Sequence, residues 1–222
     1  MERHNFRAGL DCQYHLRPAE SVGERTFLVV ALHGYGMNAE AMLRLTSLMV
    51  GDHIVASLQA PNQFYLAANS PDASIGYNWG TRAHWESSIR LHHEMVSRVV
   101  EEVGDRFRIP PQRTILVGFS QPVGLNYRFA ATFGGRVRGV IGICGGVPKD
   151  WEKRGYGPVS ASLLHIARQE DEYYSAEVVM NYPARLGVYA DDVEFHLLPG
   201  RHRFPSKAAP IVQPWMERLL GG

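Results

Sequence analysis

Short runs of consecutive apolar residues alternate along the chain with longer segments in which apolar residues recur every three or four positions. A continuous apolar run is typical of a strand that is covered on both faces, as in a parallel sheet. The clearest runs of this kind are residues 27–32, 114–117 and 162–167. Further strands are predicted at residues 53–58, 138–144 and 193–198.

The segments between these strands have the spacing of amphipathic helices. Asn38 is a suitable N-cap for a helix that ends at Gly51, and a longer amphipathic helix covers residues 85–104. Further helices are predicted at residues 125–131, 175–187 and 206–220. Pro183 should kink or shorten the second of these helices, and Pro214 should bend the last one.

Strands that alternate with helices predict an α/β fold, in which a mostly parallel twisted sheet carries helices on both faces. The 222 residues and the 45% hydrophobic content suit a single domain spanning residues 1–222. Ligands of such sheets bind beyond the carboxyl ends of the strands. Functional side chains are therefore expected in the loops that follow the strands.

Composition argues against several kinds of partner. Lys and Arg number 23 against 22 for Asp and Glu, and no basic run stands out, so no nucleic-acid partner is expected. No stretch approaches the roughly 20 apolar residues of a membrane span, and no signal-peptide pattern is found, so a cytoplasmic location is expected. Cys12 and Cys144 match no metal or redox spacing, and both are predicted to be buried free thiols.

The strand at 114–117 leads into a sharp turn with Ser120 at its apex, followed by a helix. Gly118 and Ser120 match the G-x-S-x-G pattern of a nucleophile turn, whereas Pro122 replaces the second glycine. A proline in the first turn of a helix loses only an N–H that has no helical partner. The turn is therefore expected to survive the replacement.

A serine becomes a strong nucleophile when a histidine removes its proton and a carboxylate orients that histidine. His202 is the best candidate base, because a short loop after the final strand presents it beside the serine turn. Asp171 is the preferred acid, with Glu170 as the second choice, since both follow the strand at 162–167. The order serine, acid, histidine is that of the α/β-hydrolases.

The tetrahedral intermediate of such a reaction needs two N–H donors aimed at its oxyanion. The backbone N–H groups of Gln121 and Tyr35 are the predicted donors, and Gly34 is expected to let the backbone curl inward. The long irregular stretch at 60–81 and the loop at 146–158 are rich in aromatic residues, which predict an apolar substrate pocket. Its candidate walls are Phe64, Tyr65, Trp79 and Trp151.

The sequence resembles the phospholipase/carboxylesterase family of α/β-hydrolases, which includes acyl-protein thioesterases and bacterial carboxylesterases. The resemblance is carried by residues 32–38, the Gly-Phe-Ser-Gln motif at 118–121, the Asp171 loop and residues 199–202. It implies hydrolysis of a small-molecule ester or thioester by Ser120, Asp171 and His202, without a metal or an organic cofactor, and often in a homodimer. Pro122 and Ala167 stand where the family has glycine.

Three other functions fit parts of the sequence. A dinucleotide-binding oxidoreductase is suggested by residues 34–39, which fit G-x-G-x-x-A, although residues 54–59 lack the acid that would hold a ribose. A catalytically weak or silent binding protein with a hydrolase fold is suggested by Pro122. A metal-dependent hydrolase is disfavoured, because residues 92–94 are adjacent on a helix and cannot face one ion together.

Overall fold

The computed structural model describes residues 1, 2, 4, 6, 8–67, 70, 72–205 and 207–221. Its strands are β1 (Tyr14–Arg17), β2 (Leu28–Leu32), β3 (Ile54–Leu58), β4 (Asn62–Tyr65), β5 (Ile75–Asn78), β6 (Thr114–Phe119), β7 (Gly139–Ile143), β8 (Ser162–Arg168) and β9 (Val193–Leu198). Its helices are α1 (Ala39–Val50), α2 (Trp85–Phe107), α3 (Val123–Thr132), α4 (Ala176–Val179), α5 (Tyr182–Gly187) and α6 (Ala209–Leu220).

Seven strands form one sheet in the order β1-β3-β2-β6-β7-β8-β9. Only β1 is antiparallel to its neighbour, and the other six strands are parallel. The mostly parallel sheet predicted from the apolar runs is therefore confirmed. Because β2, β6, β7, β8 and β9 share one direction, the loops that follow them lie at the same edge of the sheet.

Helices cover both faces of the sheet, as predicted. Along β2, Leu28, Val30 and Leu32 belong to the core under α2 and α3, whereas Val29 and Ala31 belong to the core under α1 and α6. This alternation follows from the twofold side-chain period of a strand. Both faces of the central strands are buried, which explains why their sequences are apolar without interruption.

Several predicted elements differ from the structure in their bounds. Residues 60–81 were predicted to be irregular, but β4 and β5 form a two-stranded hairpin within them. The predicted helix at 175–187 is divided into α4 and α5, and Pro183 lies in the first turn of α5, where it is tolerated. Helix α2 continues past Gly104 to Phe107, and Pro214 lies inside α6 as expected. The predicted start of the last helix, Ser206, lies outside the described residues.

The two cysteines differ in exposure. Cys144 is buried, but Cys12 is exposed, so the prediction of two buried thiols is wrong for Cys12, which lies in the N-terminal segment before β1. No described helix combines the length and the apolar character that crossing a membrane requires.

Four histidines are buried with the sheet and helices around them. Burial lowers the pKa of His33 to about 4 and that of His165 to about 3. Burial, and then the charge of Arg128, lower the pKa of His93 to about 4, and burial also holds the pKa of His92 well below its usual value. These rings are therefore neutral in the folded protein while the unfolded chain takes up protons below about pH 6.5.

We predict that the free energy of unfolding falls as the pH is lowered from about 7 to about 5, because the unfolded state then binds more protons than the folded state. The substitution His93→Leu removes one of these groups and should make that fall smaller. Urea unfolding at both pH values measures the difference. The exposed His15 provides the matched control, since His15→Leu should leave the fall as in the unsubstituted protein. Equal falls in all three proteins would contradict the prediction.

Candidate active site

Ser120 lies at the apex of the turn between β6 and α3. Its φ of 62° is in the left-handed region, which residues other than glycine rarely adopt. Its N–H donates to the carbonyl oxygen of Ile143 at 2.8 Å, and the N–H of Val123 donates to the carbonyl oxygen of Ser120 at 3.3 Å. The strand, turn and helix predicted around Ser120 are all present, and the turn is held from the neighbouring strand β7.

Pro122 fits this turn because its backbone is already helical. It has φ −77° and ψ −7°, it immediately precedes the first residue of α3, and its carbonyl oxygen accepts the hydrogen bond of the Asn126 N–H at 2.9 Å. The fixed φ of proline suits this conformation, and its missing N–H would have no helical partner here. The replacement of glycine by proline therefore leaves the strand-to-helix geometry intact.

The close approach of α3 to the sheet depends on two glycines, one in β7 and one just after it. A Cβ atom at Gly142 would lie 2.8 Å from Cγ1 of Val123. A Cβ atom at Gly145 would overlap the Val123 side chain and lie 2.5 Å from the carbonyl oxygen of Ser120. The space beside the serine turn is thus provided by β7 and the residues after it.

The hydroxyl of Ser120, the ring of His202 and the carboxylate of Asp171 form a continuous hydrogen-bonded row. Oγ of Ser120 lies 2.9 Å from Nε2 of His202, and Nδ1 of the same ring lies 2.8 Å from Oδ2 of Asp171. The Asp171 side chain is 1% exposed and that of His202 is 13% exposed. Because a carboxylate can only accept, Nδ1 carries the proton and Nε2 is left to accept from the serine hydroxyl.

The second oxygen of Asp171 is held by backbone groups. Oδ1 accepts from the N–H groups of Tyr173 at 2.8 Å and of Tyr174 at 2.9 Å. The alternative acid, Glu170, has an exposed side chain that forms no hydrogen bond with the described part of the chain. The geometry therefore favours Asp171 over Glu170 as the partner of the histidine.

Glu172 holds His202 through its backbone, a contact that the sequence analysis missed. Oε2 of Glu172 accepts from the N–H of His202 at 2.9 Å, and Oε1 pairs with Arg201 at 2.6 Å. The N–H of Glu170 also donates to the carbonyl oxygen of Gly200 at 3.0 Å. The loop after β8 and the loop after β9 are thereby tied together, which fixes the ring relative to the carboxylate.

Tyr35 and Gln121, the two predicted oxyanion donors, both follow the carboxyl end of a central strand. Within the described residues, the N–H groups of Tyr35 and Gln121 have no protein acceptor. The next N–H groups after Tyr35 are already used, since Gly36 and Met37 donate to backbone carbonyl oxygens at 2.9 and 3.2 Å. The two predicted donors are therefore left available to a ligand oxygen.

Gly34 is needed for space and not for its φ angle. A Cβ atom at Gly34 would lie 3.0 Å from the ring of Phe119 and 3.3 Å from the Phe119 carbonyl oxygen. The positive φ of this turn, 78°, belongs to Gly36. The expectation that Gly34 curls the backbone is thus corrected, and its role is to let the turn approach the end of β6.

The side chain of Gln121 connects the serine turn to the segment after β5. Its Oε1 accepts from the N–H of Trp79 at 2.9 Å, and its Nε2 donates to the carbonyl oxygen of Gly80 at 2.8 Å. Nε1 of Trp79 in turn donates to the carbonyl oxygen of His33 at 2.8 Å. One glutamine and one tryptophan therefore hold together the two turns that carry the free N–H groups.

The four aromatic residues predicted to line a substrate pocket do not come together in one. Trp79 is 1% exposed, and Trp151 is fully buried against the rings of Tyr127, Tyr156 and Tyr189. Both tryptophans are core residues, and the prediction that they contact substrate is corrected for this reason. Phe64 packs on the ring of Tyr35, with ring centroids 4.9 Å apart, and Tyr65 is exposed. For these two residues a substrate contact stays a prediction.

Cys144 lies beside the hydrogen-bonded row. Its Sγ and one ligand atom each of Asp171 and His202 lie within 4.8 Å of one another, and its thiol contacts the carbonyl oxygen of Arg203 at 3.7 Å. Burial, and then the charge of Asp171, raise the pKa of the Cys144 thiol to about 12. A neutral thiol is a weak nucleophile, so Cys144 is held in an unreactive form.

The turn at residues 34–39 is not arranged to bind a dinucleotide. A pyrophosphate would need free N–H groups at the start of α1. The N–H of Ala39 already donates to Oε1 of Gln59 at 3.1 Å, and that of Ala41 donates to Oδ1 of Asn38 at 2.9 Å. These two N–H groups therefore already have acceptors and are not free to hold a pyrophosphate.

Comparison with known proteins agrees with this architecture at the level of structure only. No protein-family model and no curated protein matches the sequence. A carboxylesterase from Bacillus cereus shares 14% identity and a TM-score of 0.73, with 94% of each chain covered. A carboxylesterase from Mesorhizobium loti shares 17% identity and a TM-score of 0.72, with 96% of this chain and 98% of the other covered. SOBER1 of Arabidopsis thaliana shares 15% identity and a TM-score of 0.69, with 88% and 99% covered.

These similarities extend over nearly the whole chain and identify its fold. The mostly parallel seven-stranded sheet with helices on both faces is that of an α/β-hydrolase fold. At identities below one fifth, the likeness defines the fold, and the chemistry has to be argued from the site.

We predict that Gly145→Ala lowers the free energy of unfolding by roughly 1–3 kcal/mol, because the added methyl group overlaps Val123 and the Ser120 carbonyl. Urea unfolding at neutral pH measures the change. Gly187→Ala is the matched control, since nothing lies within 4 Å of a Cβ atom at Gly187. That control should keep or slightly raise stability. Equal effects of the two substitutions would show that the close approach at Gly145 is not required.

Proposed function

We propose that the protein is a serine hydrolase that cleaves carboxylic esters, and thioesters by the same route, through an acyl-enzyme on Ser120. The observation that carries the proposal is the row from Oγ of Ser120 through His202 to Asp171, with hydrogen bonds of 2.9 and 2.8 Å. A hydroxyl, an imidazole and a buried carboxylate in this order are the parts that acyl transfer requires. The carboxylesterase structures with the same fold support this choice of reaction.

In the proposed acylation step, Nε2 of His202 takes the proton of the Ser120 hydroxyl as Oγ attacks the ester carbonyl carbon. The carbonyl π electrons move to the oxygen, which the N–H groups of Tyr35 and Gln121 stabilise. Asp171 stabilises the imidazolium and keeps its Nδ1–H in place. Collapse of the intermediate expels the alcohol or thiol, which receives its proton from Nε2.

Deacylation repeats these steps with water as the nucleophile. Nε2 of His202 removes a proton from a water molecule that attacks the acyl carbon, and the second intermediate expels Oγ of Ser120, which regains the proton. The same two N–H groups stabilise the second oxyanion. The carboxylic acid leaves, and all three side chains return to their first protonation states.

The rival proposal of a silent binding protein rested on Pro122. In the structure, Pro122 has a helical backbone that proline favours, and the serine, histidine and carboxylate remain within hydrogen-bond distance. Pro122 therefore leaves the proposed catalytic groups in contact, and we interpret it as an accommodated variant of the nucleophile turn.

We predict that the purified protein releases p-nitrophenol from p-nitrophenyl acetate and butyrate, and that Ser120→Ala lowers kcat by about a thousandfold or more. His202→Gln and Asp171→Asn should cause losses of comparable size, because the three groups act as one unit. Steady-state kinetics with a folding check by circular dichroism measures the effect. Retention of esterase activity by Ser120→Ala, or its absence from the unsubstituted protein, would refute the proposal.

We also predict that Glu172→Ala lowers kcat for p-nitrophenyl butyrate by about tenfold with little change in KM, because the His202 backbone loses its acceptor. The neighbouring Glu170→Ala is the matched control and should keep kcat within about twofold. A large loss of kcat in Glu170→Ala with none in Glu172→Ala would show that Glu170, and not Glu172, positions His202.

A further inference from the structure

A cavity of about 530 Å³ adjoins the serine turn on the side of the 146–158 loop. Its walls include Gln121 and Gly124, which follow Ser120 in the chain, together with Trp85 at the start of α2 and Pro148. This volume is in the range of sites that bind small molecules. Gln121, whose N–H is one of the two proposed oxyanion donors, lies in the wall of this space, which we call the Lys149 cavity.

Cations outnumber acids along the Lys149 cavity. Arg128, Lys149 and Lys153 line it, whereas Asp150 is the one acid among the described residues of its wall. Lys149 and Lys153 are exposed, and they are two of only three lysines in the sequence. A cavity with such a lining attracts anions, in contrast to the apolar pocket that the sequence predicted.

The Asp150 carboxylate is already neutralised by arginines. It pairs with the buried guanidinium of Arg128 and with Arg154, and Arg154 also pairs with Glu86 at the start of α2. Burial raises the pKa of Asp150, but the hydrogen bonds from Arg128 and Arg154 outweigh it and hold this pKa at about 2. Arg128 also donates a hydrogen bond to the hydroxyl of Tyr156 at 3.0 Å. This network fixes the segment that carries both lysines.

The remaining acid of this loop, Glu152, is also occupied. It pairs with Arg185 of α5, with a shortest separation of 2.8 Å. Within the described residues, Lys149 and Lys153 have no acidic partner. The ammonium groups of Lys149 and Lys153 are therefore available to an anionic ligand. The loop that carries them is held in place by arginine–carboxylate pairs and by its backbone.

We propose that the Lys149 cavity makes the enzyme selective for esters that carry an anionic group, such as a carboxylate, at a distance from the scissile bond. The inference rests on the proposed reaction at Ser120 and adds the substrate class. Ammonium groups at the mouth of a cavity raise the local concentration of an anionic substrate and stabilise its bound form. Since both groups are exposed, their effect should weaken as salt is added.

The test compares kcat/KM for neutral p-nitrophenyl butyrate with two anionic esters. Mono-p-nitrophenyl glutarate carries its carboxylate on the acyl part, and 4-butyryloxybenzoate carries it on the alcohol part. For at least one anionic ester, kcat/KM of the unsubstituted protein should exceed that of Lys149→Ala/Lys153→Ala by about tenfold, mainly through a lower KM. For the neutral ester the two proteins should differ by less than about twofold. The ester that responds identifies which part of the substrate enters the cavity.

The matched control is Arg25→Ala/Arg106→Ala, which removes two exposed cations that lie before β2 and in the last turn of α2 and do not line the cavity. It should leave the ratio of anionic to neutral ester hydrolysis unchanged at low and high salt. If the lysine variant also leaves both anionic esters unaffected, or slows all three esters alike, the inference is overturned. If the unsubstituted protein hydrolyses none of the esters, the proposed reaction itself fails, which is a distinguishable result.

Discussion

The hydrogen bond between His202 and Asp171 is the contact on which the rest of the site depends. It joins loops that follow β8 and β9, two neighbouring parallel strands paired from Leu163 and Val193 to Arg168 and Leu198. Parallel pairing brings both loops to the same edge of the sheet. A backbone hydrogen bond and the Glu172 contact between the loops then fix the orientation of the His202 ring. The strands bring the loops together, and these hydrogen bonds supply the final alignment.

The strained backbone at Ser120 is maintained by packing around it. A φ of 62° in a serine persists only where neighbouring structure determines it. Here α3 lies close to β7 because Gly142 and Gly145 have no side chains, and the N–H of Ser120 is held by β7. The glycine that other nucleophile turns carry at the position of Pro122 is therefore dispensable in this chain.

The sequence could predict those features that depend on strand order. Apolar runs indicated the parallel strands, and the positions after them indicated Ser120, Asp171 and His202, because strand direction alone decides which loops share an edge. Features that depend on loop paths were not predictable. The tryptophans Trp79 and Trp151 looked like pocket residues, but their burial is decided by how the hairpin and the 146–158 loop fold back on the core.

The same limit applies to charge. A sequence with nearly balanced charges gives no sign that Lys149 and Lys153 stand unpaired. The nearby acids are taken by arginines from other elements: Asp150 pairs with Arg128 of α3, 22 residues away, and Glu152 pairs with Arg185 of α5, 33 residues away. Which acid of residues 170–172 bonds the histidine ring, and which its backbone, is likewise a matter of local turn geometry. Such contacts become visible only when the loops have been placed.

An acyl-enzyme on Ser120 can be detected by mass spectrometry of peptides from protein mixed briefly with p-nitrophenyl butyrate and quenched in acid. We expect one butyryl group on the peptide that contains Ser120, formed together with a burst of p-nitrophenol and lost on longer incubation. A butyryl group found only on another residue, such as Cys144, or ester hydrolysis with no acylated peptide at any quench time, would contradict this expectation.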